Sequence, residues 1–381
     1  LGCPKFTWGR VSLLFDVRPK ERRSDLYNFE RELEELKRGL ERTPITLLIG
    51  VRRTGKTSLL KVALSELGYP YVYLDTRVST NPTYRDFANI VKYSLEDFIA
   101  RNTSLRRKIV ERLRRVSGVS ISISPLSVNI SWRGDKRFEL LELFNALNKI
   151  GSDIGEPVII AFDEAQELRR ITWIDFTRIF AYIYDNLEYI RLALTGSKIG
   201  LLHRFINVNS SESPLYGRYI HVVSTRRLSL EESVDFLEKG FREVGVVIPR
   251  HVIEAAASVF GGIIGWLTLF GYNCYMNINT CSESIEKVIK IAVETAKREV
   301  ENFLKTRRSE RYRVILKLLT IERSWSEIKN RLEDIEGRTI NDKTLNELLT
   351  TLLNLSIIEK TNNKYIIADP ITRKAVEELA G

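Results

Sequence analysis

Through its first two hundred residues the chain alternates short, almost wholly apolar runs with longer amphipathic ones. Residues 45–49, 71–74, 158–162, 191–194 and 219–223 are brief and bounded by Gly, Asp, Thr or Ser, as strands buried on both faces are. The intervals carry helical spacing at 56–67, 84–99, 138–150 and 174–186. That alternation predicts α/β units around a mainly parallel sheet. One stretch breaks the rhythm. Residues 119–132 (VSISISPLSVNISW) alternate Val and Ile with Ser on either side of Pro125, the pattern of a two-stranded hairpin added at the edge of the core. From Ser229 the pattern turns helical, at 230–244, 250–260, 263–276 and 284–304. Beyond a basic cluster (Arg307, Arg308, Arg311, Arg313) come helices at 312–319, 325–331 and 343–353, then strands at 357–360 and 365–367 about an Asn362-Asn363 turn, and a short helix at 371–380. Three helices followed by a hairpin is the order of a winged helix. The expected division is an α/β core at 1–225 with a hairpin insertion at about 119–132, a helical domain at 226–306 and a winged helix at 307–381.

Composition changes this picture only at the margins. Hydrophobic residues make up 44% and charged residues 28%, the balance of a folded soluble chain. No apolar run reaches the roughly 18 residues that cross a bilayer. The most apolar stretch, 261–272, is short and broken by glycines, and residues 1–10 lack the pattern of a signal peptide. A cytoplasmic protein with no membrane partner is expected. Cys3, Cys274 and Cys281 show no C-x-x-C spacing and read as reduced thiols, which excludes a zinc site. The net charge of +10 favours anionic partners, nucleic acid first among them. A single glutamine (Gln166) and a single methionine amid abundant Arg, Glu and Ile suggest a thermophile.

The chemistry begins after the first strand. Gly50-Val51-Arg52-Arg53-Thr54-Gly55-Lys56-Thr57 fits G-x-x-x-x-G-K-[ST] at every fixed position, with a strand before it and a helix after it. In such a loop, backbone N–H groups and the positive end of the helix dipole face the phosphates. The glycines let the main chain come close, Lys56 reaches the β- and γ-phosphates, and the Thr57 hydroxyl ligates Mg²⁺. Ser58 follows on the first helical turn. A second apolar strand ends in Asp163-Glu164, at the sheet edge where ligands bind in open α/β folds. Asp163 is expected to hold the metal, and Glu164 to orient and activate the attacking water. Thr195-Gly196-Ser197-Lys198 ends the next strand, where the Ser197 hydroxyl is placed to touch the γ-phosphate or the water, or to make an ordinary turn. No N-K-x-D motif for guanine occurs, which leaves ATP (and ADP) with Mg²⁺ as the expected ligands.

Taken together, these motifs resemble the archaeal ATPase domain family of the P-loop class, related to AAA+ and STAND ATPases. Phe29-Glu30-Arg31-Glu32-Leu33-Glu34-Glu35-Leu36 resembles the family's leading helix, which lies beside the base and nominates Arg31. Phe162-Asp163-Glu164-Ala165-Gln166-Glu167 matches the Walker B strand, and the loop at 50–57 matches Walker A, double arginine included. Leu194-Thr195-Gly196-Ser197, Ser213-Pro214-Leu215-Tyr216-Gly217-Arg218 and Gly261-Gly262-Ile263-Ile264-Gly265-Trp266-Leu267 resemble the sensor strand, the S-P-L-[YF]-G-R signature and the lid motif. Two positions depart from the pattern: Ile264 stands where the lid motif usually has proline near the adenine, and Glu30 where glycine often precedes the Arg-Glu pair.

The resemblance implies an ASCE/AAA+-like parallel core, a helical lid and a winged helix, with Mg-ATP hydrolysed between core and lid. It also implies an arginine finger at Arg218, acting in trans within a homo-oligomer. The alternative for Arg218 is a pair with a surface carboxylate. Two outputs are weighed. In the first, hydrolysis moves the lid and winged helix on double-stranded DNA or a DNA-bound complex. In the second, a slow STAND-like switch docks a protein partner through the winged helix and binds no DNA. Residues 307–381 hold 14 Lys/Arg against 12 Asp/Glu, which makes the winged helix a weak lone DNA binder. The denser patch is a basic helix at 101–115, with Lys5, Arg10, Arg18, Lys20, Arg22 and Arg23 adding to it; a solvated helix face is the competing reading.

Overall fold

The structure, a computed structural model, describes residues 14–78, 83–123, 128–132, 139–208, 210–276, 281–305 and 309–379. Cys3, Lys5, Arg10, Pro125, Arg307 and Arg308 lie outside the described residues. In chain order the core comprises α1 (Glu30–Arg42), β1 (Ile45–Ile49), α2 (Lys56–Leu67), β2 (Tyr71–Asp75), α3 (Tyr84–Arg101), α4 (Arg106–Leu113), β3 (Val119–Ile123), β4 (Val128–Trp132), α5 (Leu140–Ile154), β5 (Val158–Asp163), α6 (Phe176–Asn186), β6 (Ile190–Gly196), α7 (Ile199–Ile206) and β7 (His221–Ser224).

The sheet has five strands in the order β2-β5-β6-β1-β7, all parallel. The apolar run of each strand divides between two layers at a period of two. Val158, Ile160 and Phe162 face the layer of α3, α5 and α6, while Ile159 and Ala161 face α1 and α2. Burying each large aliphatic side chain contributes about 1.5–3 kcal/mol, so continuous apolar strands are stable only when both faces are covered. The edge strands relax this: β2 alternates buried with half-buried positions, and β7 exposes Val222.

β3 and β4 do not extend this sheet. They pair only with each other among the described residues and pack on α3, where Ile130 N–H donates to the Glu96 carboxylate at 2.7 Å. Residues 199–206, in which the sequence pattern shows no element, form α7.

Four helices follow, α8 (Leu230–Glu243), α9 (Arg250–Phe260), α10 (Ile264–Met276) and α11 (Cys281–Lys305), around a separate apolar cluster. The segment before α1 enters that cluster, with Phe15 among Phe236, Phe241 and Phe270. Its ring lies 2.3 Å from where a Cβ on Gly240 would sit and 2.2 Å from one on Gly271, so both positions require glycine for space. Cys274 in α10 is disulfide-bonded, not the free thiol expected, and its partner sulfur lies outside the described side chains.

A third core gathers α12 (Arg311–Leu318), β8 (Arg323–Ser324), α13 (Trp325–Glu336), α14 (Asp342–Asn354), β9 (Ile358–Thr361), β10 (Lys364–Ile367) and part of α15 (Pro370–Glu378). The antiparallel sheet β8-β10-β9 is the wing, and its Asn362-Asn363 turn takes φ of 50° and 62°, the left-handed pair a tight hairpin requires. Ser324 caps α13 in a reciprocal box with Glu327. α15 leaves the wing and places Ile371 and Ala375 in the helical cluster instead. No helix among the described residues is long and apolar enough to cross a membrane.

Candidate functional site

The loop leaving β1 is shaped by what its residues can tolerate. A Cβ on Gly50 would meet the Thr225 hydroxyl at 1.9 Å, and Gly55 takes φ of +88° at the start of α2. Thr54 closes the turn by donating to the Val51 carbonyl at 2.7 Å. Lys56 is 5% exposed, and its ammonium donates to the Gly50 and Val51 carbonyls at 2.9 and 2.7 Å. Burial lowers its pKa to about 8 despite the nearby charges of Glu164 and Asp163.

The strand order then assembles a site from distant segments. β6 lies between β1 and β5, and it brings Thr195 beside Asp163. Asp163 is buried and accepts hydrogen bonds from Thr57 Oγ1 at 2.9 Å, Tyr73 Oη at 2.7 Å and Thr195 Oγ1. Tyr73 is half-buried against this carboxylate, and both effects push its phenol well above the usual range. The Arg77 guanidinium stands 3.6 Å from Asp163 Oδ2. Glu164 sits in the left-handed region, φ 57° and ψ 47°, rare for a residue with a side chain. Its N–H donates to Thr195 Oγ1 at 3.0 Å. Its carboxylate accepts from Gln166 Nε2 at 2.6 Å, Ser197 Oγ at 2.7 Å and Ser197 N–H at 3.0 Å. Burial alone raises its pKa, but these donors and the Lys56 charge outweigh that and hold it below the usual carboxylate value.

Lys56, Thr57, Arg77, Glu164, Gln166 and Ser197 face a cleft of about 610 Å³, within the range that small ligands occupy, with Asp163 buried behind Thr57. Lys56, Thr57, Ser58, Arg77, Glu164, Ser197 and Lys198 line its core side; Ile264, Gly265 and Trp266 line the helical side. The segment before α1 closes it, tied down by Lys20 N–H to Ser58 Oγ at 3.0 Å. In a neighbouring cleft Glu30, Glu231, Glu232, Asp235 and Glu243 outnumber Lys239 and Arg242, a balance that disfavours phosphate. No cluster of three or more His, Cys, Asp or Glu side chains suited to a metal occurs among the described residues. Thr57 beside Asp163 nevertheless fits Mg²⁺, which takes one or two carboxylates and completes its shell with phosphate oxygens and water.

The residues expected from sequence divide clearly. The loop at 50–57, Ser58, Asp163, Glu164 and Ser197 gather at one end of the sheet. Arg52 and Arg53 line the cleft as well but turn toward the helices. Both pair with Glu299 of α11, and Arg53 stacks on Trp266 with its guanidinium carbon 3.9 Å from the ring centre. Arg31 is not brought to the cleft; it is exposed and pairs with Glu35 one turn along α1. Arg218 also lies away from the cleft lining of its own chain, in a two-point pair with Asp185 and a bond to the Pro214 carbonyl. The basic segment at 101–115 is not one helix but the end of α3, a short turn and α4; Arg101, Arg112 and Arg115 are paired with Asp97, Asp153 and Glu111, which leaves Arg107 and Lys108 among its exposed cations. Sequence reading did not single out Tyr73, Arg77 or Thr225. The Tyr-x-Asp-x-Arg run that spans the end of β2, residues 73–77, was the available signal for the first two.

The chain matches two family models: an ATPase domain predominantly from Archaea over residues 26–270, and the MCM protein C-terminal winged helix-turn-helix domain over 306–368. No curated protein matches it. Among solved structures, a Walker-type ATPase of Pyrococcus abyssi is 32% identical over 96% of this chain and 100% of its own, with a TM-score of 0.80. The Aeropyrum pernix ORC1 protein, solved in complex with DNA, is 18% identical over 93% of each chain, TM-score 0.45. The Thermotoga maritima RuvB Holliday junction branch migration motor is 15% identical over 96% of this chain and 98% of its own, TM-score 0.44.

Proposed function

The chain belongs to the family of ATPase domains found predominantly in Archaea, and from that premise we propose that it binds and hydrolyses Mg-ATP. The cleft between an ATPase core at 1–225 and a helical lid at 226–306 is the site. Turnover moves the lid and the winged helix at 307–381 and acts on DNA or a DNA-bound complex. The observation that carries this reading is the convergence of Lys56, Thr57, Asp163, Glu164 and Ser197 at one end of the sheet, with the Thr57 hydroxyl 2.9 Å from the Asp163 carboxylate.

Each side chain then has a task. Lys56 exchanges its two carbonyl acceptors for phosphate oxygens, and the N–H groups opening α2 face the same charge. Thr57 and Asp163 hold magnesium, which neutralises charge on the phosphates when bound. Glu164 leaves Ser197 and Gln166 to align a water and draw on its proton, and Ser197 is freed toward the γ-phosphate.

Transmission to the lid and winged helix runs through contacts that begin at the phosphate loop. Arg53 meets Glu299 and Trp266, and Trp266 Nε1 donates to Asp369, the N-cap of α15, at 3.3 Å. A second link joins Ile199 N–H of α7 to Ser356 Oγ, just after α14, at 3.0 Å. Arg218 serves as a finger for a neighbouring copy in a homo-oligomer. DNA is held by the winged helix or by exposed cations of the basic segment at 101–115.

One observation favours the slow switch. The winged helix is docked on α7, with Asn354 Cα 2.4 Å from where a Cβ on Gly200 would lie, and its charge is nearly balanced. Steady-state ATP hydrolysis at elevated temperature, with and without duplex DNA, for wild type and Glu164→Gln separates the two. Turnover that DNA raises and Glu164→Gln abolishes supports the motor. ATP binding without turnover in either protein, indifferent to DNA, supports the switch.

A further inference from the structure

Among the described arginines lining the cleft, three are committed elsewhere. Arg18 pairs with Asp16, and Arg52 and Arg53 pair with Glu299. Lys198 pairs with Glu167. Arg77 differs. β2 runs beside β5 with Asp75 opposite Asp163, so the residue two positions beyond Asp75 emerges next to the paired carboxylates of β5. Asp75 holds the Arg77 guanidinium from behind, accepting from Nε at 2.8 Å and Nη2 at 2.5 Å. Nη2 also lies 3.6 Å from Asp163 Oδ2, while Nη1 has no partner among the described residues. The side chain is 53% exposed, and its exposed part faces the cleft lined by Lys56, Thr57, Glu164 and Ser197.

We propose that Arg77 is a γ-phosphate arginine acting in cis, a catalytic residue of the same chain that holds the nucleotide. It rests on the Mg-ATP reading of the cleft. Its guanidinium stands 3.6 Å from Asp163 Oδ2. With Asp163 committed to magnesium, Arg77 keeps its anchor on Asp75 and turns its remaining N–H groups to the γ-phosphate oxygens. In the reaction, the bond between the γ-phosphorus and the β–γ bridging oxygen breaks, and a water oxygen bonds to that phosphorus. The water's proton leaves toward Glu164, and negative charge grows on the bridging oxygen. A planar fork beside that charge stabilises it, and arginines so placed raise turnover by about 10³–10⁵-fold.

The test uses the full chain with Arg77→Ala, Arg77→Gln and Arg77→Lys, each shown by its melting curve to fold. Affinities for Mg-ATPγS and Mg-ADP are measured by calorimetry beside steady-state ATP turnover. The expected result is a roughly tenfold or greater loss of ATPγS affinity in Arg77→Ala with ADP affinity held within about threefold, since a hydrogen bond to a charged group is being removed from the γ-phosphate alone. Turnover falls at least about a hundredfold. Arg77→Lys recovers affinity more than turnover, because a point charge replaces the fork. Equal loss of ATPγS and ADP binding overturns the proposal and makes Arg77 a support for Asp163; unchanged ATPγS affinity overturns it outright. Wild type that binds both nucleotides without hydrolysis removes the ATPase reading, while the ATPγS-to-ADP comparison still decides whether Arg77 contacts the γ-phosphate.

Discussion

Thr195→Val tests whether the buried hydroxyl at the centre of the site holds it together. Thr195 is fully buried on β6; it donates to Asp163 Oδ1 and accepts the Glu164 N–H at 3.0 Å. Valine keeps the shape and removes both bonds, so no cavity contributes. A hydrogen bond to a charged group contributes about 1.5–3 kcal/mol and one between neutral groups about 0.5–1.5 kcal/mol. The combined loss is therefore about 2–4.5 kcal/mol. It falls on a segment already strained, because a side-chain-bearing residue in the left-handed region costs on the order of 1–3 kcal/mol. For a core of this size, one kcal/mol moves the melting temperature by about 2–4 °C, so the transition of the ATPase core drops by about 10 °C. Differential scanning calorimetry reads that shift. Thr195→Ser, which keeps the hydroxyl, stays within about 4 °C of wild type. If Thr195→Val melts with wild type, or if the serine variant falls as far as the valine one, the two hydrogen bonds do not hold the site and the reasoning fails.

Three further predictions follow from the same geometry. Lys56 has a folded pKa of about 8, below its ordinary value because of burial, and phosphate raises it again, so Mg-ATP binding takes up a proton above pH 8 and none near pH 7. Mg-ATP affinity is thus flat below about pH 8 and declines above it. Calorimetry at about pH 9 in two buffers of different ionisation enthalpy measures the uptake, and a zero value refutes the assignment. Arg53→Ala removes the stack on Trp266 and one pair with Glu299, about 1–2 kcal/mol of contact between the loop and the helical domain proposed as a lid. Small-angle scattering without nucleotide should then report a more open particle, and an unchanged profile argues that other contacts hold the lid. Finally, a finger at Arg218 acting in trans requires that Arg218→Ala be rescued by Glu164→Gln: the two inactive proteins, mixed, regain part of the wild-type turnover, and no recovery at any ratio leaves Arg218 to its Asp185 pair.

The short-range half of the site was legible before any coordinates. The phosphate loop is strand, turn and helix within one continuous stretch, and its glycines are required by the backbone itself: Gly55 by a positive φ, Gly50 by the hydroxyl that fills its Cβ position. Asp163 and Glu164 stood at the end of an apolar run long enough only for a buried strand, and the wing's two asparagines demanded a tight hairpin turn. Those are properties of windows of about ten residues, where period and turn chemistry act directly.

What the tertiary structure alone decided is which distant windows meet. No local pattern specifies that β6 lies between β1 and β5, yet that order puts Thr195 on Asp163, 32 residues away in sequence, while Tyr73 arrives from 90 residues away and Thr57 from 106. Register does the same for Arg77, because Asp75 and Asp163 are partners across a parallel pair joined by more than eighty residues of chain. Arg31 illustrates the converse: the family resemblance nominated it for the base, but the face of α1 that packs is the one carrying Leu33, Leu36 and Leu40, which turns Arg31 to solvent. Local sequence determined the chemistry available to this protein; the pairing of strands, driven by burial of whole faces, determined which of those groups share a site.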